Sequence, residues 1–173
     1  ARHRRWLQSR ITSIKCKLRN KLAHYNADIA GLFTRKGEKY LAELAMSQYD
    51  QIEVAALQEK MALIGLQFKQ ADRELKKFAR TAPLSDREAR SVLESIPQIG
   101  AVTIDVVLSE LSDWRRFRSA KAVVAYAGLS PGVRESAGRR HDLHITKEGS
   151  RLLRWALVEA AWRLVGRSAR WHR

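Results

Sequence analysis

"DQIEVAALQEKMALIGLQFKQADRELKKFAR", residues 50–80, is the stretch on which the fold turns. Its apolar residues fall at Val54, Leu57, Met61, Ile64, Phe68, Ala71, Leu75 and Phe78, alternating spacings of three and four. A helix turns once in about 3.6 residues, so this alternation lays them along one stripe, and its persistence makes the stripe a coiled-coil seam. Such a helix runs about 46 Å at 1.5 Å per residue. Asp50 with Glu53 makes a capping-box pattern at its start. Gly65 inside it costs about 1 kcal/mol, too little to break it. The seam needs a partner, which is either the preceding helix folded back as a hairpin or the same helix of a second chain. The polar flanking residues Gln58, Lys60, Gln67, Asp72 and Glu74 do not decide between them.

Upstream, Leu7, Ile11, Ile14, Leu18, Leu22, Tyr25 and Ile29 form a second helical stripe, with Arg5, Arg10, Lys15, Lys17, Arg19 and Lys21 on the other faces and Gly31 as the expected C-cap. A short helix is expected over 38–46. Downstream, "TAPLSD" breaks the pattern, and Ser85 with Glu88 opens a helix to about Ser95. "SIPQIGAVTIDVVLSEL" (95–111) reads as helix, tight turn at Pro97–Gly100, and helix. It is either a helix-hairpin-helix, whose turn offers backbone N–H groups to a phosphate, or a Pro-broken pair of core helices. Gln98 stands where the first glycine of that motif usually falls. Ser119 caps a helix over 120–127 ending at Gly128. Thr146 caps a last helix whose buried stripe is Leu153, Leu157, Ala160 and Leu164, with Trp155 and Trp162 sharing a face, for packing in preference to base-stacking. The expected fold class is all-α: a helical hairpin or coiled coil over 1–82, then a small helical domain over 83–173. One short β-hairpin is allowed around "LHI" (143–145).

Of 173 residues, 45% are hydrophobic, so the chain can build a packed core. Cys16 is the only cysteine, which excludes an internal disulfide and a cysteine-rich zinc site. No apolar run approaches a membrane span, and no signal peptide is visible. The sequence starts at Ala1 in helical sequence, and we expect it to continue a longer protein. The net charge of +15 is segregated: +7 over 1–31, −2 over 32–113, +7 over 114–154 and +3 over 155–173. Two basic blocks around a near-neutral middle suit a polyanion-binding surface.

The second block contains "SPGVRESAGRRHDLHIT", 130–146. Ser136 stands there among Arg134, Arg139, Arg140, His141, His144 and Lys147, with Arg151 and Arg154 following. A serine hydroxyl needs a base and a charge-stabilised transition state to act as a nucleophile. Arginines can clamp a phosphodiester and stabilise its transition state, and a histidine can supply acid or base. The residue types suit serine attack on DNA and plain phosphate binding equally, and Ser136 as a turn residue stays open at this level. The basic half has only Glu135, Asp142 and Glu148, too few carboxylates for a two-metal site.

"SIPQIGAVTIDVVLSEL", "FRSAKAVVAYAGLSPGVRESAGRR" and "ITKEGSRLLRWALVEAAW", in that order and spacing, resemble the C-terminal transposase domain of the insertion-sequence 110/1111 family. "CKLRNKL" and "LFTRKGEKYL" echo the helical linker of that family. The resemblance implies an N-terminal RuvC-like domain with an acidic DEDD site joined to a coiled coil and this domain. It also implies a serine nucleophile that falls on Ser136. The substrate is then DNA, some members are guided by a structured RNA, and a dimer or tetramer assembles through the coiled coil. Magnesium is expected in the RuvC-like domain and no cofactor in this segment. The setting is the cytoplasm of a bacterial or archaeal cell, with no membrane partner. Arg134, Arg139, Arg140, His141, His144, Lys147, Arg151, Arg154 and the turn residue Gly100 are the expected nucleic-acid contacts. Ala137 replaces the glycine common after the serine, and Ser150 replaces a common asparagine. The competing reading is a non-catalytic nucleic-acid-binding and dimerisation module.

Overall fold

Helix α1 (Arg2–Ala23) buries Leu7, Ile14, Leu18 and Leu22, as their spacing requires. The computed structural model describes residues 1–136 and 138–167, without the side chains of Arg140 and Asp142. α1 does not reach Gly31. Asn26 takes a left-handed φ of +52°, and the amides of Asn26 and Ala27 bond back to the carbonyls of Ala23 (3.1 Å) and Leu22 (3.0 Å). That pair of bonds is a Schellman stop, with asparagine doing the work expected of glycine. α2 (Arg35–Glu43) starts and ends slightly earlier than expected, because Thr34 caps it by accepting from the Gly37 amide at 3.4 Å.

α3 (Gln48–Thr81) is the long helix of the seam. The side-chain cap at its start lies one turn earlier than Asp50, at Ser47. Ser47 Oγ accepts from the Asp50 amide (3.2 Å) and donates to the Asp50 carboxylate (2.9 Å). The chain divides into two compact units, residues 3–74 and residues 1–2 with 75–173. In the first, Leu7, Ile14 and Leu18 of α1 pack with Val54 and Ile64 of α3, and Leu57, Met61, Phe68 and Ala71 close in around them. Arg4 bonds Asp72 at 2.7 Å, while Lys21 bonds Asp50 and Glu53, each at 2.7 Å. Low numbers on α1 thus meet high numbers on α3. The two helices form an antiparallel hairpin, and α1 of the same chain occupies the seam. A different row of α3 stays open: Ile52, Leu63 and Leu66 are 64%, 58% and 64% exposed.

The second unit runs through α4 (Leu84–Glu94), α5 (Ala101–Leu111), a 3₁₀ turn (Trp114–Arg116), α6 (Ala120–Tyr126), β1 (Pro131–Ser136), β2 (Arg139–Ile145) and α7 (Arg151–Arg167). Among the described residues these strands form one two-stranded antiparallel sheet, and the rest of the regular structure is helical. Val106, Val107 and Leu111 of α5 pack with Ala127 and with Leu153 and Ala156 of α7. α4 does not use Ser85 as its cap. Pro83 precedes the helix, and its carbonyl accepts from Asp86 (3.0 Å) and Arg87 (3.1 Å) with no side-chain cap. Ser119 caps α6 as expected, accepting from the Ala122 amide at 3.3 Å. Thr146 does not cap α7. Ser150 does, accepting from the Leu153 amide at 3.2 Å, because residues 146–149 are not helical and Lys147 has φ +59°. The buried row of α7 is Leu153, Ala156 and Ala160, with Leu157 and Leu164 half-buried. Trp155 joins the core margin, whereas Trp162 is 71% exposed and does not pack as expected.

Candidate nucleophile and nucleic-acid interface

Within residues 130–146, β1 and β2 pair as a hairpin. Ser136 pairs with Arg139, Glu135 with Arg140, Arg134 with His141 and Val133 with Asp142. Directly paired residues share a face, and faces alternate along each strand. Ser136, Arg139, Arg134 and His141 therefore belong to one face, and positions 135 and 140 to the other. Ser136 is the last residue of β1, immediately before the turn, where Gly138 has φ +72°. It is exposed, and no described residue hydrogen-bonds its hydroxyl. Val133, Leu143 and Ile145 are 47%, 52% and 37% exposed, so among the described residues neither face of the hairpin is buried.

The foot of the hairpin is built tightly. Gly128 has φ +68°, and a Cβ there would lie 2.6 Å from the Gly149 nitrogen. A Cβ on Gly149 would lie 1.9 Å from the Tyr126 carbonyl oxygen and 2.6 Å from the Ala127 carbonyl carbon. These two glycines permit a backbone approach that no side chain allows. The amides of Thr146 and Lys147 then donate to the carbonyls of Ser130 and Gly128, both at 3.0 Å. Arg154, half-buried, donates from one guanidinium nitrogen to the carbonyls of Ala127 (3.0 Å) and Gly149 (3.4 Å).

The expected contact residues are thus unequal. Arg134, Arg139 and His141 share the serine face. The side chain of Arg140, like Ala137, lies outside the described residues. His144 and Lys147 are exposed toward the hairpin's foot, Arg151 is exposed at the start of α7, and Arg154 braces the foot. Gly100 precedes α5 with an ordinary φ of −86°, while Gln98, across Ile99, takes the left-handed φ of +69°. The turn therefore keeps a glycine-like backbone at a glutamine, and Gly100 belongs to that turn rather than to the hairpin.

Sequence reasoning missed Glu110. It is 5% exposed and accepts from Arg2 at 2.6 and 2.9 Å and from the Ser150 hydroxyl at 2.6 Å. The Arg2 hydrogen bond, reinforced by Ser150, holds its carboxyl below the usual range against the opposing effect of burial. Its partners are 108 and 40 positions away, so the available signal was an acid near the end of a largely apolar helix. Among the described residues no group of three or more His, Cys, Asp or Glu side chains is placed to hold a metal ion, and no helix is long and apolar enough to cross a membrane.

Residues 90–173 match the model of the transposase IS116/IS110/IS902 family. The chain is 32% identical over 95 residues to the transposase for insertion sequence element IS1328 of Yersinia enterocolitica, covering 55% of this chain and 27% of that protein. It is 28% identical over 111 residues to the insertion element IS110 uncharacterized 43.6 kDa protein of Streptomyces coelicolor, covering 64% of this chain and 26% of the relative. The chain therefore spans about a quarter of the length of these relatives.

Proposed function

We propose that this chain, whose residues 90–173 belong to the IS116/IS110/IS902 transposase family, supplies the nucleophilic serine and part of the DNA grip of a DNA recombinase. The observation that carries the reading is the hairpin register. It sets Ser136 exposed beside the turn, on one face with Arg139, Arg134 and His141. The two guanidiniums offer planar, permanently charged donors for the non-bridging oxygens of a phosphodiester. In the proposed step the Ser136 Oγ–P bond forms and the bond from phosphorus to one sugar oxygen breaks. The hydroxyl proton passes to a base, and the departing sugar oxygen takes up a proton. The product is a phosphoserine diester that a second DNA hydroxyl can reverse. His141, in the adjacent same-face pair, is the base we favour on this chain, acting through a substrate oxygen or a water.

Residues 1–82 act as the linker and 83–173 as the domain that meets DNA. The acidic metal site of the reaction belongs to a RuvC-like domain outside this sequence. A second copy of the chain pairs along α3. The support is its exposed row Ile52, Leu63 and Leu66, since α1 already fills the seam. The test uses full-length protein, element-end DNA, magnesium and any RNA encoded with the element. After digestion, mass spectrometry should locate the DNA-linked peptide at Ser136. Ser136→Ala should abolish the adduct and leave DNA binding intact. A link at Ser130 or Ser150, or an adduct surviving Ser136→Ala, would refute the assignment. Binding with no adduct from the wild type would favour a module without chemistry.

A further inference from the structure

Several cations of this chain are committed to internal acids. Arg2 holds Glu110, Arg4 holds Asp72, Lys21 holds Asp50 and Glu53, and Arg90 holds Asp105. The stretch "WRRFRSAK" (114–121) differs. Arg115, Arg116, Arg118 and Lys121 are exposed, and among the described residues no carboxylate pairs with any of them. No acid occurs in the sequence from Trp114 to Arg134. The arginines are backed by aromatic rings instead. The Arg115 guanidinium carbon lies 4.9 Å from the Trp114 ring centre. That of Arg116 lies 4.7 Å from both Phe117 and Tyr126, whose own centres are 5.1 Å apart. The backbone beneath is fixed as well, because Asp113 caps the 3₁₀ turn by accepting from the Arg115 amide at 3.1 Å.

An exposed arginine ordinarily samples many rotamers. Stacking on a ring restricts it while leaving the N–H edge of its plane free. Two such edges on one short turn, with an indole 42% exposed beside them, are pre-ordered for bidentate contact with phosphates and for a base laid on an aromatic surface. We propose that Trp114, Arg115, Arg116 and Arg118 form a second nucleic-acid contact, distinct from the hairpin, that grips a phosphodiester strand. It rests on the reading that this domain holds nucleic acid, and it adds a site apart from the residues that surround Ser136.

The experiment titrates the 173-residue chain with a fluorescein-labelled duplex and with the matching single strand. Anisotropy is followed across a salt series together with tryptophan emission. Arg115→Gln with Arg116→Gln should reduce the slope of log affinity against log salt by about 2, with no change in helicity. Arg118→Gln, which leaves the ring stack untouched, should reduce it by about 1. The emission change on binding should be smaller in Trp114→Phe than in the wild type. Wild-type slopes in both arginine variants overturn this site while leaving the hairpin reading standing. An absence of any wild-type binding overturns both. Equal capture by phosphatidylserine vesicles, with the same dependence on Arg115 and Arg116, would overturn the assignment to nucleic acid.

Discussion

Gly149→Ala should open the foot of the hairpin. The added Cβ would lie 1.9 Å from the Tyr126 carbonyl oxygen, against an ordinary contact of 3.4 Å or more, so the two backbone segments must part by about 1.5 Å. The groups in the way are backbone atoms and cannot rotate aside. Parting breaks the bonds from Thr146 to Ser130, from Lys147 to Gly128 and from Arg154 to Ala127, all 3.0 Å in the native fold. At about 1 kcal/mol each, plus about 1–3 kcal/mol of overpacking strain, the loss is about 4–6 kcal/mol. For a unit of roughly 100 residues that lowers Tm by about 15 °C or more. Differential scanning calorimetry reads the total. Hydrogen exchange locates it, because the amides of Thr146 and Lys147 should lose protection before those of α5. Gly65→Ala is the control. Nothing lies within 4 Å of its added Cβ, and the helix interior gains about 1 kcal/mol, so Tm should rise slightly. A Gly149→Ala protein melting within 2 °C of the wild type, in roughly the usual error of such scans, would refute the close-approach account.

Other outcomes follow from the ion pairs and the surface. Asp50 is held at about 2, from an ordinary 3.8, chiefly by Lys21 and then by Tyr25 and Ser47. Its contribution is therefore complete above the ordinary value and lost as pH falls through about 2, and Asp50→Asn should flatten the acid limb of an unfolding-versus-pH curve. Glu110→Ala removes the acceptor of Ser150 and should cost about 2 kcal/mol in chemical denaturation; the Arg2 pair adds little, since that arginine side chain is 80% exposed. Neutralising Arg139 and Arg140 together should reduce the DNA-binding salt slope by about 2, and an unchanged slope would remove the hairpin from the interface. Leu63→Asp with Leu66→Asp should convert a sedimenting dimer to a monomer of unchanged helicity, and an unchanged mass would refute pairing along α3.

The helices were legible because apolar spacing reports burial directly. Leu7, Ile14, Leu18, Val54 and Ile64 all fell where their stripes put them. Helix ends were less legible, because several residues can cap and only backbone geometry chooses. Asn26 stopped α1 ahead of Gly31, and Ser150 rather than Thr146 capped α7. The latter also explains why serine serves where asparagine is common, since both are good caps. The hairpin was visible only as "LHI", because a sheet exposed on both faces has no apolar alternation to read. Within the site, charge was legible but commitment was not. Arg154 turned out to brace a backbone, and Arg115 and Arg116 turned out to lie on rings, relations that follow from packing rather than from spacing.

The separation between the hairpin's tip and its foot has a consequence for mutational freedom. Stability is concentrated at Gly128, Gly149 and Arg154, where backbone touches backbone. Among the described residues, the paired positions 133–136, 139 and 141 are exposed. Exchanging side chains there removes little apolar burial and opens no cavity, so the folding penalty that restrains most substitutions is small. The residues around Ser136 can be rewritten for a different strand geometry or charge pattern without first acquiring a compensating change in the core. A library confined to those positions should retain folded members at high frequency, leaving the choice among them to chemistry alone.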